Sequence, residues 1–229
     1  MSALTGALVI AEMQGRDLLR RRAVMALFLL LPAAFYYSVP ASEDYSLIAG
    51  SMGVSWAVAA AGLFGILGWR RADPRLALAG AAAWQGFIGR LALLLVLALG
   101  LVALFAPQIL LRSSALLVDR PTAALALVLM AIVSVPLGLA IGALVPRELE
   151  GTLVLIGIVG VGSSVPMDQA LAQALPLWGP LKVLQIAAGM DQGPSTRGVI
   201  HTLLTAGLLL VLAYLSWRRR VRVARSSTR

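Results

Sequence analysis

Cysteine is absent from this chain of 229 residues, and histidine occurs once, as His201. No disulfide framework, zinc ribbon or thiol nucleophile can be built from such a sequence, and no multi-histidine metal site. Charge is scarce too. Asp, Glu, Lys and Arg make up 13% of the residues, against about 25% in ordinary soluble domains. What fills the space is apolar side chain, at 60% of the sequence, where about 45–50% is usual. One water-soluble core of this length cannot hide that excess, so it must face lipid.

Apolar runs long enough to cross a bilayer need about 20 residues. Six candidates appear: 23–39, 46–68, 91–111, 122–145, 152–165 and 199–217. None contains Asp, Glu, Lys or Arg. The expected fold is an all-α polytopic membrane protein with six transmembrane helices. Residues 23–217 form its membrane domain and 218–229 a basic tail. Residues 1–22 place Leu4, Leu8, Leu18 and Leu19 beside Glu12, Arg16 and Arg20, the pattern of an amphipathic interfacial helix.

The formal charge of +9, from 19 Lys+Arg against 10 Asp+Glu, is explained by where the bases lie. With the N-terminus inside, Arg16, Arg20, Arg21, Arg22, Arg70, Arg71, Arg75, Arg90, Arg147 and the arginines of 218–229 are internal. Only Arg112, Arg120, Lys182 and Arg197 are then external. This is the positive-inside pattern, and it places the chain in the cytoplasmic (inner) membrane with both termini cytoplasmic. No basic face with stacking aromatics points to nucleic acid. Trp69, Tyr214 and Trp217 are expected at the inner interface, and Tyr36, Tyr37 and Tyr45 at the outer one.

Two segments depart from simple hairpins. Residues 69–90 are too long for a tight turn. With Asp73 as N-cap and Pro74 in the first turn, they predict a short helix on the inner face. Residues 166–197 are too apolar for a free loop and are divided by Pro166, Pro176, Pro180 and Pro194. They predict two short re-entrant helices between spans five and six, their backbone groups satisfied by protein. Pro32 and Pro136 are expected to kink their helices. Gly138 and Gly142, with Gly62, Gly65 and Gly68, are expected at close helix contacts.

This layout resembles the ABC-2 type permease, the membrane subunit of type-V ABC exporters. The resemblance is carried by the amphipathic helix with Glu12, Arg16 and Arg20-Arg21-Arg22, and by the helical inner loop, Arg71-Ala-Asp73-Pro-Arg75-Leu76. It is carried also by the Gly-rich fifth span ending at Pro166 and by the segment before the sixth span. Asp73-Pro74-Arg75 stands where the family usually has an acidic-Gly-Thr stretch. The absence of charge within the spans makes hydrophobic or amphipathic cargo the expected class, and the resemblance implies export through a cavity at a dimer interface. A second permease copy, or a related permease, would complete it. Ser55, Trp56, Phe64, Ile156, Val159 and Ser163 are the implied lining. Asp73, Arg75, Leu76, Arg147, Glu148 and Glu150 are the implied contacts to ABC ATPase subunits. Those subunits would carry ATP and Mg, because no Gly-x-x-x-x-Gly-Lys-Ser/Thr loop occurs here; neither a catalytic residue nor a cofactor is expected in this chain.

Two rivals remain at this level. Gly162-Ser163-Ser164-Val165 matches the Gly-x-Ser-x pattern of rhomboid-type intramembrane serine proteases, with Ser164 and His201 as the nucleophile and base. An ATP-independent secondary transporter or channel would have the same gross layout. Such pathways usually leave ionisable groups inside the bundle, and the six runs hold only His201.

Overall fold

Long apolar runs without a partner strand satisfy their backbone groups within a single helix, and the chain is all-helical. The computed structural model describes residues 3–20, 22–43, 45–70 and 82–226. Nine α-helices are found among the described residues. They are α1 (Ala3–Arg20), α2 (Arg22–Tyr37), α3 (Tyr45–Trp69), α4 (Ala83–Arg112), α5 (Arg120–Leu144), α6 (Glu148–Ser164), α7 (Ala170–Ala174), α8 (Trp178–Ala187) and α9 (Ser195–Ser226).

Four of them are long and apolar enough to cross a membrane: α3, α4, α5 and the 195–219 part of α9. Helices α2 and α6 are shorter, with 16 and 17 residues. The local chemistry accounts for the boundaries. Asp119 caps α5, accepting from the Thr122 amide at 3.2 Å and from its hydroxyl at 2.5 Å. Pro146 and Pro166 disfavour helix in the residue before each of them, and α5 and α6 end two residues short of these prolines. Glu148 and Glu150 occupy the first turn of α6, where the helix dipole favours negative charge. Pro32, Pro107 and Pro136 lie inside α2, α4 and α5, each removing one backbone donor.

Helix α3 is the central element. It packs against α5 most extensively, then α2, and also against α4 and α6. Glycine makes the α3–α5 approach possible: a Cβ on Gly138 would collide with the Ala59 carbonyl oxygen, and one on Gly62 would lie 3.2 Å from Gly138 Cα. The packing role expected of these glycines is therefore seen. Gly65 differs, with nothing within 4 Å of the Cβ position. Ser55 and Ser134 join the same two helices by a buried hydrogen bond of 2.7 Å.

Three elements differ from the sequence reading. First, Trp84, Phe87, Ile88 and Arg90 belong to the opening turns of α4. The helix continues through them without a break, and the Gln85 side chain accepts from the Ala82 amide at its start. Second, α1, expected at the interface, also packs one face on protein: Ala7, Ile10 and Gln14 are buried, and Gly89 of α4 abuts the Ala7 carbonyl. Third, Tyr36 is fully buried, where an interfacial ring was expected. Its hydroxyl lies 3.2 Å from both the Gln108 carbonyl oxygen and Ser113 Oγ, so a hydrogen-bonded knot satisfies the phenol. Trp217 is likewise buried, against Phe87. Tyr37 and Tyr45 are exposed.

The segment 166–197 does form two short helices. Helix α8 packs against α5 and α9, and the Ala187 carbonyl accepts from the Val118 and Asp119 amides at 2.9 and 3.0 Å. Its C-terminus closes with Gly189 at φ 71°, which the Gly189 and Met190 amides complete by bonding back to Ile186 and Gln185.

Candidate functional site

A groove of about 440 Å³ runs between α2, α3 and α6, within the range of about 300–1,000 Å³ typical of small-molecule clefts. Phe28 and Leu31 form the α2 wall, and Trp56, Ala60 and Phe64 lie along α3. Helix α6 contributes Glu148, Thr152 and Leu155. Their spacing of four and three residues sets them on one face of the helix. Trp56 is steadied by an edge-on contact with Phe35, ring centroids 5.3 Å apart.

Of the lining expected from the sequence, only Trp56 and Phe64 face this groove. Ser55 points the other way, into the α3–α5 contact. Val159 is buried in the cluster with Met52, Leu63 and Leu155. Ile156 is 43% exposed on the outer face of α6. Ser163 lines a separate cavity of about 240 Å³, with Ile48, Ser164, Met167 and Gln185. The helical period explains the division: residues 155 and 159 share the inward face of α6, and 156 is turned by about 100°.

The residues expected to meet an ATPase also separate. Asp73, Arg75 and Leu76 lie outside the described residues. Arg147 and Glu150 pair with each other at 3.0 Å, both at the surface. Glu148, between them in the chain, lines the groove.

Beside the groove lies a second, small cavity of about 40 Å³. Ala61 and Phe64 border both spaces. Its walls include Gln14 and Asp17 of α1 and Arg90 of α4. Arg90 is only 2% exposed, and both it and Asp17 are engaged in polar or charge interactions. The buried Gln14 amide nitrogen has no hydrogen-bond partner among the described residues; the cavity has room for a water to supply one. Sequence reasoning missed this cavity, because Arg90 precedes the apolar run and counts there as a loop arginine.

The serine–histidine pair is not assembled. Ser164 Oγ donates to the Gly160 carbonyl at 2.8 Å, and His201 Nε2 is 2.9 Å from the Gln173 carbonyl. The imidazole packs edge-on against Trp178 at 5.0 Å, and its Nδ1 is buried with no partner among the described residues. The polar contacts of His201 thus tie α9 to α7.

No protein-family profile matches this chain, and no curated protein matches it. The site must be argued from its own chemistry. Its lining is aromatic and aliphatic, with one carboxylate and one hydroxyl at the end where α6 begins.

Proposed function

We propose that this chain is the membrane-spanning permease subunit of an ATP-driven ABC exporter, moving hydrophobic or amphipathic cargo. The observation supporting this is the apolar groove between α2, α3 and α6. Helices α3 and α6 correspond to the second and fifth spans, which the family resemblance implies as walls of the cargo cavity.

In this reading α2 and α6 also cross the bilayer, giving six spans, and α7 and α8 re-enter its outer leaflet. Both termini are cytoplasmic in the inner membrane. A second permease subunit covers the exposed face of α6, where Leu153, Ile156 and Val161 are uncovered by this chain and no heavy atom lies near the Cβ positions of Gly157 and Gly160. Small residues permit close approach there. ATP and Mg act on separate ATPase subunits, docked against the segment with Asp73, Arg75 and Leu76 and against the Arg147–Glu150 turn.

The test is purification of the tagged chain from its native membrane in mild detergent. A subunit with a phosphate-binding loop and ATPase activity is expected to copurify, and Asp73→Lys with Arg75→Glu is expected to remove both. A complex that survives this double reversal overturns the coupling assignment. Transport that persists without any ATPase overturns the ABC reading in favour of a secondary transporter.

A further inference from the structure

We infer that the groove selects amphiphilic cations, with Glu148 receiving the positive head and the aromatic wall receiving the apolar body. This rests on reading the groove as the cargo site, and it goes further by assigning a charge to the cargo.

Three observations carry it. Glu148 is the only ionisable side chain in the lining among the described residues, and no Lys or Arg accompanies it. Among the described residues, two basic groups beside the start of α6 have other partners. Arg147 pairs with Glu150 at 3.0 Å, and Arg70 donates to the Gly142 carbonyl at 2.9 Å and to those of Val145 and Pro146. Finally, Phe28, Trp56 and Phe64 all border the groove, and aromatic faces attract cations, most strongly where water is excluded.

The geometry also gives the ligand a direction. Glu148 and Thr152 lie at one end, in the first two turns of α6, while Trp56 is eight residues along α3 from Phe64. At 1.5 Å per residue this is about 12 Å, the reach of a drug-sized apolar body. An anion would meet the Glu148 charge, of which the half-charge of the helix N-terminus offsets only part. The sole hydroxyl in the lining among the described residues, Thr152 Oγ1, already donates to the Glu148 carbonyl at 2.8 Å. A neutral amphiphile fits the walls and gains nothing from the carboxylate.

The full chain in nanodiscs of zwitterionic phosphatidylcholine provides the test. Binding of tetraphenylphosphonium is measured beside its isosteric anion tetraphenylborate, with empty nanodiscs subtracted. The cation is expected to bind at least about tenfold tighter than the anion, and Glu148→Gln to weaken it by about tenfold. Glu148→Asp is expected to retain the preference. Ala60→Trp, which fills the groove, is expected to abolish binding of both ions. If Glu148→Gln leaves cation binding unchanged while Ala60→Trp still blocks it, charge selection is overturned and the apolar cargo site stands. If Ala60→Trp also has no effect, the groove is not the binding site and both readings fail.

Discussion

Arg70 leaves the end of α3 and donates to the Gly142 carbonyl in the last turn of α5 and to those of Val145 and Pro146 just beyond it, groups that have no partner within the helix. A cation at a helix C-terminus also complements the dipole. A residue that reads as a topological arginine is therefore a clasp between two helices. Asp191 plays a comparable part at the other end of the bundle, bonding Lys182 Nζ and, at 2.7 Å, the Gly193 amide. The hydrogen bond from Lys182, and then that from Gly193, hold its carboxyl below the ordinary 3.8. A depressed folded-state value contributes stability that is complete above the unfolded value and disappears as pH falls through the folded one. Wild type is thus expected to be more stable than Asp191→Asn at neutral pH, with the gap closing progressively below 3.8. Thermal unfolding across that range checks this; a gap that does not change with pH contradicts the role.

At the scale of the element, the α3–α5 seam is held by close backbone approach and by the Ser55–Ser134 hydrogen bond. Bilayer helices associate through such packing, since lipid tails are as apolar as the helices themselves. Gly138→Ala would force the helices apart at Ala59 and is expected to cost about 1–3 kcal/mol. Gly65→Ala meets nothing within 4 Å, and should be neutral or stabilise α3 by up to about 1 kcal/mol through helix propensity. Reversible unfolding in mixed micelles compares the two. Equal effects would show that the seam does not depend on close approach at Gly138. The same scale explains the lining. Helix α3 is apolar on every side, so its sequence marks no face, and Ser55 and Trp56 looked equally suited to a cavity. Only the packing of α5 on one side, and of α2 and α6 on the other, separates them.

For the whole molecule, most of the described arginines gather at one end, where α1, the ends of α3, α5 and α9, and the start of α6 lie. Arg112, Arg120, Lys182 and Arg197 mark the opposite end. We propose, from the positive-inside rule, that the arginine-rich end is cytoplasmic. A chain without cysteine lends itself to a direct check. Ser42→Cys is expected to react with an impermeant maleimide in intact cells, and Ser226→Cys only after the membrane is opened. The reverse pattern inverts the orientation.

The helices were legible because apolar length, prolines and caps are local properties, written in consecutive residues. The α3 and α5 bounds, the end of α6, the short pieces after Pro166 and the packing glycines could be read that way, whereas α6 begins at Glu148, four residues before the apolar run. The groove and the small cavity that shares Ala61 and Phe64 with it could not. Glu148 lies in a charged turn by sequence and becomes a groove residue because α6 packs its first turn beside α2 and α3. Arg90 precedes an apolar run and becomes buried because α1 folds back over α4. Hydrophobicity determined which segments leave water. Which side of each segment meets protein was decided by pairwise contacts between helices far apart in the chain.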